Sequence, residues 1–316
     1  MTNTNDFQVE EVNYFDYVTT VPIIEKRLRK SLSRELISHW CVDHMFTKEG
    51  LCAANPDDIS QSRDFQWHID NVINPLVKSG EISDGSDSPF DDRKLRYNTP
   101  TLIPLSSVRD RTSFTLPFGI THYKAFQADQ NRSDEENLAL QKRGEELFGD
   151  KYAFFSRAPG IAVLPITKEG SVFIGERTNE DAKGLLNAVA GHLKYRHPEK
   201  VDLNEDLLAE MEEEFGLLES SLIERPFFAG VYSNPIKGDL DFTYIAQTDA
   251  PDEYFSSGRW MEKVSEREHK PLIQLSSMSD VQRILDTGKV PDGREFDIMY
   301  STRGALMSLK PGELRD

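Results

Sequence analysis

The chain has 316 residues, with 54 Asp and Glu against 37 Lys and Arg, a formal charge of −17. With 38% hydrophobic residues and 10% aromatics, 18 of them Phe among the total, it has a globular composition and enough length to bury a large core as one large or two medium domains. The acidic balance argues against a protein that wraps nucleic acid, which needs a basic footprint, but not against an enzyme that handles phosphates through cations held by carboxylates.

Met1 to Asp16 is polar and acidic, without the basic and then apolar segments of a secretory leader. No apolar run approaches the roughly 20 residues of a membrane span. Cys41 and Cys52 alone give no disulfide framework, so a reducing, cytoplasmic setting is expected. Val21 to Phe46 reads as an amphipathic helix, because Ile24, Leu28, Leu32, Leu36 and Trp40 recur every fourth position. His39, Cys41, His44 and Cys52 are zinc-binding types, but their spacing matches no strong zinc pattern, and buried helix residues are the alternative. A second helix is expected over Ser62 to Lys78, broken near Pro75. Gly80 to Asp92 is rich in Ser, Asp and Gly and reads as a loop. The division drawn here is a mainly helical N-terminal region, 1–110, and a second domain, 111–316.

From Leu102 onward short apolar runs alternate with turns. Ala162 to Ile166 and Ser171 to Gly175 flank Thr167–Gly170 as a hairpin, and Phe227 to Tyr232 and Leu240 to Gln247 form another strand pair with a longer loop. Between these pairs lies an acidic helix, Asn204 to Phe215. Strands on either side of helices make this part α+β or α/β.

The acidic helix carries the chemistry. At 100° per residue Glu210, Glu213 and Glu214 share one face, while Leu208, Met211 and Phe215 share another that packs on a sheet. Gly216 stands where a left-handed terminator belongs. Three neighbouring carboxylates repel, and no Lys or Arg lies within one turn of them. A hard divalent cation, Mg²⁺ or Mn²⁺, would relieve the repulsion with oxygen ligands. The alternative is a solvated acidic face.

The run Glu210-Met-Glu-Glu-Glu-Phe-Gly-Leu217 resembles the second half of the Nudix box, Gly-x5-Glu-x7-Arg-Glu-U-x-Glu-Glu-x-Gly-U, where U is a bulky aliphatic residue. Its opening glycine is matched by Gly191, which precedes His192. Three departures stand out: the loop from Gly191 has four extra residues, Ala209 replaces the box arginine, and Val201 sits where the first glutamate is expected, with Glu199 or Glu205 as substitutes. Gly119 to Phe126, Phe148 to Asp150 and Ala158 to Ala162 are similar to the branch of this family that includes animal UDP-glucose pyrophosphatase.

The resemblance implies a Nudix fold, a mixed sheet between helices. It further implies Mg²⁺-dependent cleavage of the pyrophosphate of a nucleoside diphosphate sugar, UDP-glucose to UMP and glucose 1-phosphate being the leading expectation. Glu210, Glu213 and Glu214 are the expected metal and catalytic residues. Arg177, Gly191, His192 and Asn234 are the substrate-binding candidates, with a surface arginine and a turn asparagine as the plainer readings of Arg177 and Asn234. Glu262, Glu266 and Glu268 are further candidates for a proton acceptor. The alternatives are a non-catalytic module that senses a nucleotide, or cleavage of ADP-ribose, a dinucleoside polyphosphate or another nucleoside diphosphate derivative. No phosphate-loop, dinucleotide fingerprint or Gly-x-Ser-x-Gly elbow occurs. Phe154–Phe155 and Phe227–Phe228 read as core strand residues.

Overall fold

The computed structural model describes residues 8–14, 17–23, 44–49, 69–80, 93–97, 116–178, 183–194, 203–234, 236–264 and 268–315. In chain order the strands are β1 (Gln8–Tyr14), β2 (Tyr17–Ile23), β3 (His44–Glu49), β4 (Arg93–Tyr97), β5 (Leu116–His122), β6 (Pro159–Ile166), β7 (Val172–Arg177), β8 (Leu186–Asn187), β9 (Val189–His192), β10 (Phe227–Ser233), β11 (Leu240–Gln247) and β12 (His269–Leu275). The α-helices are α1 (Asn74–Ser79), α2 (Tyr123–Asn131), α3 (Asp134–Phe148), α4 (Leu203–Phe215), α5 (Asp252–Ser256), α6 (Met278–Thr287) and α7 (Tyr300–Ser308).

The main sheet runs β10-β11-β6-β7-β12, with β9 paired to β6 and β8 to β7. β11 and β6 are parallel and the other pairs antiparallel, so the sheet is mixed. Every residue of β6 is buried, as expected of a central strand covered on both faces. Side chains alternate across the pleat. Ile161 and Val163 of β6 join Phe242 and Tyr244 of β11 in a core closed by Leu207, Met211 and Phe215 of α4. Leu164 and Ile166 join Ile245, Ile174 and Ile273 in a second core closed by Val281 and Ile284 of α6 and Ala305 and Leu306 of α7. The α+β architecture expected from the sequence, a mixed sheet between helices, is therefore present.

The expected hairpin forms, but β6 and β7 pair only beside their turn, at Ile166↔Val172. They then diverge, and the segment Leu186–His192 fills the wedge: β9 lies on β6 with Ile161 opposite Gly191, and β8 lies on β7. This wedge brings Gly191 over the acidic helix. The pairing of β10 with β11 also forms as expected, with a register shift between Phe228 and Gly230.

Most of the region 1–110, expected to be mainly helical, lies outside the described residues. Among the described residues before position 111, strand predominates over helix. The two ends of the helix expected over Val21–Phe46 are strands, since Val21–Ile23 finish β2 and His44–Phe46 open β3. β2 contains Val18, Thr19, Thr20 and Val21, and β-branched side chains favour the extended chain. The four-residue apolar spacing itself falls in 24–43, outside the described residues. The second expected helix is helical over its described part: a π-turn, Ile69–Ile73, passes into α1, with Pro75 in its first turn. Leu95 and Tyr97 of β4 are buried in the same core as α4.

Candidate active site

Helix α4 is amphipathic in the way its sequence dictates. Met211 and Phe215 are fully buried, and Leu208 packs against the same cluster. The chain leaves the helix at Gly216, whose φ of 65° suits glycine; its N–H donates to the Glu212 carbonyl at 3.0 Å. The carboxylate stripe is less solvated than a surface face would be. Asp206, Glu210 and Glu214 are buried, with Glu214 at 1% relative exposure, and Glu213 is half-buried.

Each carboxylate has its own partners. Glu214 Oε2 accepts the Ala190 N–H at 3.2 Å and a hydrogen bond from His269 Nε2 at 2.9 Å. Where Glu214 is ionised it accepts, and His269 then presents its proton on Nε2. Burial, followed by the charge of Arg177, pushes the His269 imidazole down to about 4, so it donates as a neutral ring. Glu210 lies directly beneath β9: a Cβ added to Gly191 would stand 2.2 Å from the Glu210 carboxyl carbon and 2.4 Å from each oxygen. A β-carbon there would make the end of the Glu210 side chain turn aside, so glycine leaves the carboxylate its present place. Lys194 Nζ lies 3.3 Å from Glu213 Oε1 and 3.7 Å from Glu210 Oε1, and the Lys194 N–H donates to Asp206 Oδ2 at 3.1 Å. Burial works against the Lys194 charge, but Glu210 and Glu213 outweigh it and hold its pKa above the ordinary lysine value.

The remaining candidates are placed as follows. Arg177 closes β7 and pairs with Glu268 at 2.7 Å, so two candidates from distant positions meet beside the β7–β12 pairing of Arg177 with His269. Strand alternation sends His192 to the face opposite Gly191, where its ring meets Phe126 of α2 edge-on at 4.4 Å. Burial and the charges of Lys94 and Arg177 hold the His192 imidazole well below the ordinary histidine range. Asn234 serves its own turn: its side-chain oxygen accepts the Ile236 N–H at 2.9 Å and the Lys237 N–H at 3.3 Å. Glu262 is exposed at the end of a 3₁₀ turn, Glu205 is exposed on α4, and Glu199, Val201 and Glu266 lie outside the described residues. Of the zinc-type set, His44 opens β3 and the other three lie outside the described residues. Phe154 and Phe155 are buried, though in a turn rather than a strand.

Reading the sequence missed Asp206, Lys194 and His269. Asp206 was accessible, since it stands one turn before Glu210 on the same stripe. Lys194 and His269 reach α4 only through the wedge and β12, which no local pattern reports.

The donor set of α4 suits a hard cation: carboxylate oxygens, beneath a backbone that approaches closely at Gly191. Among the described residues, a positive charge beside Glu210 and Glu213 is the Lys194 ammonium. Among the described residues no three His, Cys, Asp or Glu side chains are grouped so as to hold a metal ion. No described helix is long and apolar enough to cross a membrane.

No family model matches the chain, and no curated protein matches it. Solved structures that it is similar to include the MutT Nudix hydrolase from Burkholderia pseudomallei, at 18% identity and a TM-score of 0.32, covering 48% of this chain and 98% of the other. The Nudix domain of Shewanella oneidensis NrtR complexed with ADP-ribose aligns at 11% identity and a TM-score of 0.34, over 53% of this chain and 95% of the other. A C. elegans Ap4A hydrolase binary complex aligns at 13% identity and a TM-score of 0.29, over 40% of this chain and 86% of the other.

Proposed function

We propose that the chain is a metal-dependent hydrolase of the Nudix type that cleaves the pyrophosphate linkage of a nucleoside diphosphate derivative. The particular substrate proposed is a nucleoside diphosphate sugar, with UDP-glucose, giving UMP and glucose 1-phosphate, as the first compound to test. The observation that carries the reading is the set of α4 carboxylates held in a packed setting, with Glu210 pressed beneath Gly191 and Glu214 fixed by Ala190 and His269. A solvated acidic face needs none of those contacts.

Glu210, Glu213 and Glu214 would hold Mg²⁺ or Mn²⁺, which when bound neutralises diphosphate charge and acidifies an attacking water. The other roles belong to the chain's own groups. The His269 N–H and the Ala190 N–H fix Glu214 Oε2 and so orient the whole carboxylate. Gly191 leaves room for Glu210. Arg177, which pairs with Glu268, would offer its guanidinium to phosphate oxygens, and Glu268 would be the proton acceptor.

A second reading, a module that binds a nucleotide without cleaving it, is favoured by Ala209 in place of the box arginine and by Lys194 beside Glu210 and Glu213. The two are separated by incubating the protein with Mg²⁺ and UDP-sugars, ADP-ribose and dinucleoside polyphosphates while following release of nucleoside monophosphate. The proposal expects release, with a UDP-sugar fastest. Binding of these compounds with cleavage of none would instead support the sensing module.

A further inference from the structure

The sequence poses an electrostatic problem that α4 does not solve by itself. From Leu203 to Phe215 the helix has Glu205, Asp206, Glu210, Glu212, Glu213 and Glu214 and no basic residue. Asp206, Glu210 and Glu214 are nonetheless buried. Burying ionised carboxylates without a compensating charge is costly. The arginine that the box pattern would supply from the helix is Ala209.

Among the described residues, a compensating charge comes from the end of the wedge. Lys194 follows β9 by two residues, and its main-chain N–H is anchored on Asp206 at 3.1 Å. From that fixed point its side chain reaches Glu213 Oε1 at 3.3 Å, Glu213 Oε2 at 3.5 Å and Glu210 Oε1 at 3.7 Å. Two of the three carboxylates assigned to a divalent cation thus already share an ammonium. A cation that takes the same oxygens must compete with it, because two positive charges on the same pair of carboxylates repel each other. The side chain is 42% exposed, so it has an open route outward.

We propose that Lys194 is the built-in counter-cation of α4: it holds Glu210 and Glu213 when no metal is bound and yields them to a divalent cation. This inference rests on the reading of α4 as a metal platform. Lys194 would then stabilise the metal-free fold and lower the affinity for the ion, since displacing the ammonium is part of the binding equilibrium. The Asp206 anchor holds the Lys194 main chain beside the site, so a released ammonium would stay close to it.

The test is Mn²⁺ binding to the full chain, followed by electron paramagnetic resonance of the free ion, in the wild type, Lys194→Met and Lys194→Arg, with melting temperatures measured with and without Mn²⁺. Lys194→Met is expected to bind Mn²⁺ about tenfold more tightly, a loss of competition worth about 1.4 kcal/mol. It should melt below the wild type without metal and show the larger rise when metal is added. Lys194→Arg should return both readouts toward the wild type. Should Lys194→Met not fold without metal, Lys194→Gln carries the same comparison. Wild-type binding with equal or weaker affinity in the neutral variant overturns the counter-cation role alone. Absence of Mn²⁺ binding in every form overturns the metal-platform reading and this inference with it.

Discussion

Glu214 is the most tightly specified of the carboxylates, and the residue-scale predictions follow from how each group is held. Its Oε2 accepts from both His269 and Ala190, so Glu214→Gln places an amide where two donors converge. Turnover is expected to be abolished while nucleotide binding is kept, as it is for Glu213→Gln, and equilibrium binding measured beside single-turnover cleavage distinguishes the two effects. Gly191→Ala drives a methyl into the Glu210 carboxylate, 2.2 Å from its carbon. The Glu210 carboxylate has to turn aside, so the expected cost in urea denaturation is small, about 1 kcal/mol or less, while Mn²⁺ binding weakens; an alanine variant with wild-type metal affinity would contradict the placement of Glu210. These glutamates were legible in the sequence because a helix turns i, i+3 and i+4 onto one face. His269 and Lys194 were not, because 55 residues separate His269 from Glu214 and 19 separate Lys194 from Glu213.

At the scale of elements, the anchoring of α4 decides whether the carboxylates have fixed positions. Met211 is completely buried between the helix and the sheet core. Met211→Ala is expected to destabilise the fold by about 2–5 kcal/mol and to lower metal affinity as well, read by urea denaturation and Mn²⁺ titration. A change in stability that left the metal titration unmoved would detach the site from the packing of its helix. The elements with strong local signals were legible: the Thr167–Gly170 turn, the β10–β11 pair and α4 with its Gly216 terminus each carry a periodicity and a stop. The wedge was not, because β8 and β9 are two and four residues long, too short to carry a period, and they owe their place to the divergence of β6 from β7. At the N-terminus, regular spacing in 24–43 pulled Val21–Ile23 and His44–Phe46 into a helix, whereas pairing with neighbouring strands holds both as β-structure.

For the molecule as a whole, the charge of −17 has two consequences. The first is pH dependence from carboxyls buried outside α4. Burial, with Asp129 nearby, pushes Asp239 up to about 7, and burial pushes Asp241 up to about 6 against the opposing pull of hydroxyl groups and Arg177. Between the ordinary carboxylate value of 3.8 and these values the folded chain binds more protons than the unfolded chain, so these two groups make stability fall as pH rises through that window. His269, pushed down to about 4 from 6.5, acts in the opposite sense: its contribution is present above 6.5 and is lost as pH falls toward 4. Asp239→Asn is therefore expected to gain stability over the wild type on going from about pH 5 to about pH 8, by an amount of order several kcal/mol at most. Urea curves at the two pH values check this, and an unchanged difference would contradict it. The second is the dependence on a divalent ion that the proposed metal platform entails. Net charge by itself argued only against wrapping nucleic acid, whereas the acidic stripe on one packed helix, with Glu210 beneath Gly191, Glu210 and Glu213 beside Lys194, and Glu214 against His269, supports the proposed handling of phosphates through a cation. The direct measurement is release of nucleoside monophosphate from a nucleoside diphosphate sugar against Mg²⁺ concentration, in the wild type, Glu213→Gln and Glu214→Gln. The metal-platform account predicts turnover that rises from zero with Mg²⁺ in the wild type and falls by about a hundredfold or more in each variant. Turnover independent of Mg²⁺, or unchanged in both variants, would contradict it.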